Sequence, residues 1–210
     1  KNAPSAGVLS VRSRCNPQAN AALEGLYITG ETFCTQCEAE SFRRIAFFPD
    51  RPDVMARYTV TIRADKTAYP VLLANGNLIG SRNLSDGRHE AVWDHAVPKP
   101  SYLFALVAGK VSVLRDTFTT MSGRHVSLEI YAKPHNLDQC EFAMAALKRA
   151  MRWDEDAYGR EYDLDRFMIY CADDFNFGAM ENKGLNIFNA ALLLGKRETA
   201  TDQDFERIEG

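Results

Sequence analysis

The residues closest to chemistry lie in one irregular stretch, Asp173-Asp174-Phe175-Asn176-Phe177-Gly178-Ala179-Met180-Glu181-Asn182-Lys183-Gly184. Gly178 and Ala179 have no bulk beyond Cβ, so a second backbone can approach them closely. Glu181 follows that opening, at the end of a predicted strand. One reading is a sheet edge that accepts an extended peptide by main-chain pairing, with a carboxylate at one end of the bound segment. The other is a turn bearing a solvated glutamate, and residue type alone leans that way.

A second candidate is Cys34-Thr35-Gln36-Cys37-Glu38-Ala39-Glu40. A redox pair would need a helix N-terminus in a βαβ unit, and a structural zinc would need two more ligands at matching spacing. Neither context surrounds Cys34 and Cys37. Gln36 and Glu38 alternate in an extended chain, so both can project into one cleft. His89-Glu90 with His95 imitates a metal motif but has the wrong spacing. Six residues on a helix separate two imidazoles by about 240°, and the segment reads as a strand in any case. His125 and His135 lack a neighbouring carboxylate-and-His constellation. No dinucleotide fingerprint, P-loop or nucleophile elbow occurs.

Composition is that of an ordinary globular chain: 210 residues, 46% hydrophobic and 25% charged, with a formal net charge of −3. That balance gives no electrostatic case for a nucleic-acid or anionic-membrane partner. No apolar run approaches the ~20 residues of a membrane helix. Five thinly spread cysteines do not make a disulfide framework, which points to reduced thiols and a cytoplasmic protein.

The elements that must hold these residues are mostly strands. From Ala56 to Asp65, apolar and polar residues alternate with period two. Val71 to Ala74, followed by Asn75-Gly76, predicts a type I′ hairpin. His89 to Trp93 and Tyr102 to Ala108 extend the series, giving a sandwich-like β-rich part over 1–110. Residues 111–210 read as mixed α/β. There a hairpin turns at Met121-Ser122-Gly123, and a helix is predicted from a cap at Asn136 to Gly159, with Cys140, Met144, Leu147 and Met151 on one face. Strands at Phe167 to Cys171 and Leu185 to Phe188 complete this part. The chain lacks an initiator Met and stops just after a capping box at Thr201 and Asp204, so a piece of a longer protein is expected.

Gly178-Ala179-Met180-Glu181-Asn182 resembles the exopeptidase signature of the zinc aminopeptidase N family, gluzincins with a thermolysin-like catalytic domain. Ala22 to Tyr27, Phe33 to Glu40, Asp50 to Val54, Tyr102 to Gly109 and Lys183 to Asn189 look like the bacterial members too, in the same order. The resemblance implies most of a saddle-like β-rich amino-terminal domain followed by the opening of the catalytic domain. It also implies a zinc-dependent enzyme that removes amino-terminal residues from peptides, with no nucleic-acid or membrane partner. The zinc ligands and catalytic groups would lie beyond Gly210, leaving none within this stretch. Glu181 and Glu38 match the family's two glutamates that hold the substrate ammonium, and Gln36 matches the neighbouring amide. Gly178 and Ala179 match the backbone that pairs with substrate, and Met180 and Asn182 complete the signature. Phe177 stands where bacterial relatives often carry Met, so its ring bears on preference for the first side chain. A catalytically silent peptide-binding scaffold is the alternative. Ala179 argues against the related lipid-epoxide hydrolases, which usually show Gly there.

Overall fold

The computed structural model describes residues 6–210. Seven strands form two sheets in the first part: β1 Gly25–Thr29, β2 Thr32–Gln36, β3 Ala56–Asp65, β4 Val71–Ala74, β5 Asn77–Asn83, β6 Arg88–Lys99 and β7 Leu106–Gly109. One sheet has the order β1-β2-β7-β4 and the other β3-β6-β5. The second part contains β8 Ser112–Thr119, β9 His125–Ala132, helix α1 Glu141–Tyr158, β10 Arg166–Ala172, β11 Ala179–Met180, β12 Leu185–Asn189 and helix α2 Asp202–Glu209. Its five strands form one mixed sheet, β11-β12-β10-β9-β8, with β10 parallel to both neighbours. The β-rich first part and mixed second part follow the sequence patterning.

Strand alternation decides what packs where. In β10, Met168, Tyr170 and Ala172 join a core shared with Tyr27, Leu72, Trp93 and Val107 of the first sheets. Ile169 and Cys171 point the other way and pack with Ala143, Met144 and Met151 of α1. A parallel strand flanked on both sides is buried on both faces, which explains its continuous apolar run. The shared core ties the two parts together. Trp93 is 1% exposed within it, and its indole N–H donates to Leu72 O at 3.1 Å.

Two local expectations are corrected. Asn75-Gly76 does not turn a hairpin: β4 pairs with β7 and β5 pairs with β6, so the dipeptide carries the chain from one sheet to the other. Gly76 has φ +94°, and a Cβ there would lie 2.1 Å from Asp94 O. Glycine is therefore required for the crossing, not for a type I′ turn. The helix likewise begins later than Asn136. Residues Pro134–Cys140 form a 3-10 segment in which Gln139 Nε2 donates to Asn136 Oδ1, so that side chain is drawn away from a capping role. These tighter turns place Cys140 in the core, and α1 starts at Glu141. Gly159 ends it with φ 60°, as predicted. The Thr201–Asp204 capping box is present.

Candidate functional site

β11 is the edge of the five-stranded sheet and is two residues long. Ala179 lies opposite Phe188 and Met180 opposite Ile187, while Asn189 N–H donates to Gly178 O at 2.8 Å. Hydrogen-bonded and non-hydrogen-bonded pairs alternate in an antiparallel ladder. With Gly178 bonded inward, the N–H and C=O of Ala179 face the open side. Gly178 and Ala179 are both exposed. A Cβ at 178 would meet only the Leu192 Cδ1 methyl at 2.8 Å, the end of a flexible side chain.

Side chains alternate about this edge. Met180 is 1% exposed and points inward, while Glu181 and Phe177 are exposed. The Phe177 ring meets Phe175 edge-on at 6.2 Å. Asn182 is fully buried, and its amide donates to Phe104 O at 3.4 Å.

From the other half of the molecule, β2 brings Gln36 onto this edge. Gln36 is 1% exposed and its Nε2 donates to Met180 Sδ at 3.7 Å. Glu38 lies just past β2 and is exposed. Gln36 and the Met180–Glu181 edge are thus brought together across the seam between the two parts. Two buried oxygens there, Gln36 Oε1 and Asn182 Oδ1, have no partner among the described residues. A buried acceptor left unpaired costs roughly 1–3 kcal/mol, so a donor arriving at this seam recovers part of that cost. The arrangement can do two things: extend a strand, and receive a cation.

The other sequence candidates fall away from the site. Cys34 packs in the shared core with Tyr27, whereas Cys37 packs with Phe42 and Phe104 in a separate aromatic cluster. Both thiols are fully buried and unbridged. Burial pushes the Cys34 thiol up to about 12 and pushes Cys37 up as well. Two thiols facing different cores cannot act as a dithiol pair. His89 and His95 lie opposite Ala64 and Tyr58 on one strand, about 20 Å apart by strand rise. Their ring nitrogens meet Tyr69 O and Val97 O, each at 2.7 Å. Among the described residues, no three His, Cys, Asp or Glu side chains converge to hold a metal ion. The described residues therefore offer no zinc site of their own, and the family resemblance assigns none of them as a ligand.

Sequence reasoning missed two buried polar side chains beside the site, Asn75 and Lys99. Asn75 looked like a turn residue, and nothing in the sequence pattern singled out Lys99. Their burial arises from strands distant in sequence, so no local signal marks it.

Comparison with known proteins agrees with this architecture. The Peptidase M1 N-terminal domain family matches residues 15–103, and the Peptidase family M1 domain matches residues 142–210. The chain is 59% identical over 207 residues to Aminopeptidase N of Caulobacter vibrioides, covering 99% of this chain and 24% of that protein. It is 55% identical over 208 residues to Aminopeptidase N of Escherichia coli, again covering 99% and 24%. The crystal structure of Legionella pneumophila aminopeptidase A in complex with aspartic acid superposes with a TM-score of 0.87 at 43% identity. That match covers 89% of this chain and 22% of the other. The chain spans about a quarter of the length of these relatives. Two adjoining domains of one family in sequence order, together with this identity across nearly every residue, place the chain in the peptidase M1 family.

Proposed function

We propose that this chain is the substrate-anchoring part of a zinc-dependent aminopeptidase that removes amino-terminal residues from peptides. The observation that carries the proposal is the open edge at Ala179, which runs directly into Glu181 with Gln36 seated against it from the other half. An extended peptide adds to β11 through the N–H and C=O of Ala179. Its terminal ammonium then lies between the Glu181 and Glu38 carboxylates, with Gln36 Oε1 as a third acceptor. Charge-assisted hydrogen bonds of this kind are stronger than neutral ones, and they hold the chain end at one position. Only the first peptide bond then reaches the reacting centre. Phe177 borders the place of the first side chain and Met180 backs it, while Asn182 holds the segment to Phe104.

Zinc dependence is part of the proposal, with ligands past Gly210. This chain contributes binding and orientation. Residues 1–110 serve as the amino-terminal domain and 111–210 as the opening of the catalytic domain. The partners are peptides with a free amino terminus, with no nucleic-acid or membrane partner. No helix among the described residues is long and apolar enough to cross a membrane. The five unbridged cysteines support a cytoplasmic location.

The test compares full-length protein on aminoacyl substrates with free and acetylated amino groups, with and without a zinc chelator. Hydrolysis confined to the free amine and abolished by the chelator is expected. Equal turnover of acetylated substrate refutes the anchor. Peptide binding without any hydrolysis supports the catalytically silent scaffold instead.

A further inference from the structure

The proposed ammonium site is split between two sheets, so its geometry depends on what sets their separation. We propose that Asn75 is a positioning residue that fixes the distance between the Gln36–Glu38 half and the Glu181 half; this rests on the anchor reading above. Asn75 is 1% exposed, and its amide is bonded on every side that counts. Its Nδ2 donates to Leu103 O and to Lys183 O, both at 2.9 Å, and its Oδ1 accepts from Ala105 N–H at 2.7 Å. Lys183 is two residues past Glu181. Leu103 and Ala105 lead directly into β7.

The path continues toward the other carboxylate through one more hydrogen bond and short stretches of backbone. Leu106 N–H donates to Thr35 Oγ1 at 2.9 Å, and Thr35 adjoins Gln36 on β2. One side chain thereby bonds the approach to β7 and also Lys183, which lies 108 residues from Asn75 in sequence, between the two pieces of the proposed site. The joint is tight as well as bonded: a Cβ on Gly184 would lie 2.9 Å from Gly76 N. The longer Asn182–Phe104 bond runs beside it. No other residue type of this size supplies two donors and one acceptor in one plane. Aspartate loses the donors and leucine loses everything. A rigid, fully satisfied amide between two backbone segments is a spacer, and a displacement of about 1 Å at such a joint reaches the position of the chain end.

The experiment is a double-mutant cycle in the full-length enzyme between Asn75→Ala and Glu181→Gln, read as kcat/KM on a free-amine aminoacyl substrate together with the thermal midpoint. If Asn75 acts through the anchor, N75A alone costs about 10- to 100-fold, but costs under about threefold once Glu181 is already Gln. The loss of thermal midpoint is the same in both backgrounds. Equal fold-losses of activity in both backgrounds, or no loss in N75A, overturn the proposal. Asn75→Ser, which keeps one donor and leaves room for a water, replaces N75A if that variant does not fold. Failure of both to fold assigns Asn75 a purely structural role and also overturns it. The two readings fail separately. Full activity in Glu181→Gln refutes the anchor itself, whereas an impaired Glu181→Gln with an indifferent N75A refutes only the spacer.

Discussion

Replacing Lys99 with Met should stabilise the protein in acid and lose that advantage as the pH rises. Lys99 is 3% exposed, and its Nζ has no hydrogen-bond partner among the described residues. It lies over the Tyr58 ring, 3.3 Å from the centroid, and 5.9 Å from that of Phe104. Burial lowers its pKa from 10.5 to about 7, with the Cys37 thiol acting weakly in the opposite sense. A displacement of that size disfavours the buried ammonium by about 5 kcal/mol. Below pH 7 both folded and unfolded chains carry the proton, so this cost is fully present. Between about pH 7 and pH 10.5 only the unfolded chain stays protonated, and stability rises with pH. Methionine has similar length, no charge, and a sulfur suited to an aromatic surround. Urea unfolding of intact wild type and Lys99→Met at about pH 6, about pH 7.5 and about pH 9 measures the difference directly. Groups titrating alike in both proteins cancel in that difference. A gain that is independent of pH, or a loss of stability near pH 6, would refute the reasoning.

The anchor makes its own prediction. Glu181→Gln in the full-length enzyme should cost roughly 2–4 kcal/mol in kcat/KM, with Glu38→Gln acting the same way and the pair less than additive. Metal analysis of both variants should match wild type, and full activity of both single variants ends the assignment. Phe177→Met should change ratios of kcat/KM across Ala, Leu, Arg and Phe substrates more than it changes the rate on the best one, because this half-exposed ring has no group for acid–base work. Gly76→Ala should cost upward of about 3 kcal/mol, since it combines a positive φ with a Cβ set against the Asp94 carbonyl. Soluble yield and thermal midpoint report it, and a wild-type midpoint would contradict the close approach.

What the sequence revealed divides by range. The alternation of β3 and the capping box at Thr201 are local, and both read correctly from neighbouring residues. Asn75-Gly76 carries the local chemistry of a hairpin, yet pairing is decided by β7 and β6, which lie tens of residues away. Asn136 could cap a helix, but the burial of Cys140 set the start elsewhere. At the site, Gly178 and Ala179 announce a close approach without saying what approaches. Glu181 alone suited a solvated turn better. Only the resemblance to a family joined it to Glu38 and Gln36 before the fold brought Gln36 against Met180.

The open edge of β11 has a consequence for the protein's safety among other chains. An unpaired strand edge is where unfolded or foreign polypeptides add on, and long apolar edges seed aggregation. Here the exposed rung is Ala179, closed at one end by Gly178 and at the other by a charged glutamate. A strand with no end of its own must run on past Glu181 and bury that carboxylate without a cation to meet it. If the proposed anchor holds, the feature that admits a peptide end also turns away the middle of a chain, and this short edge is protected by the same carboxylate.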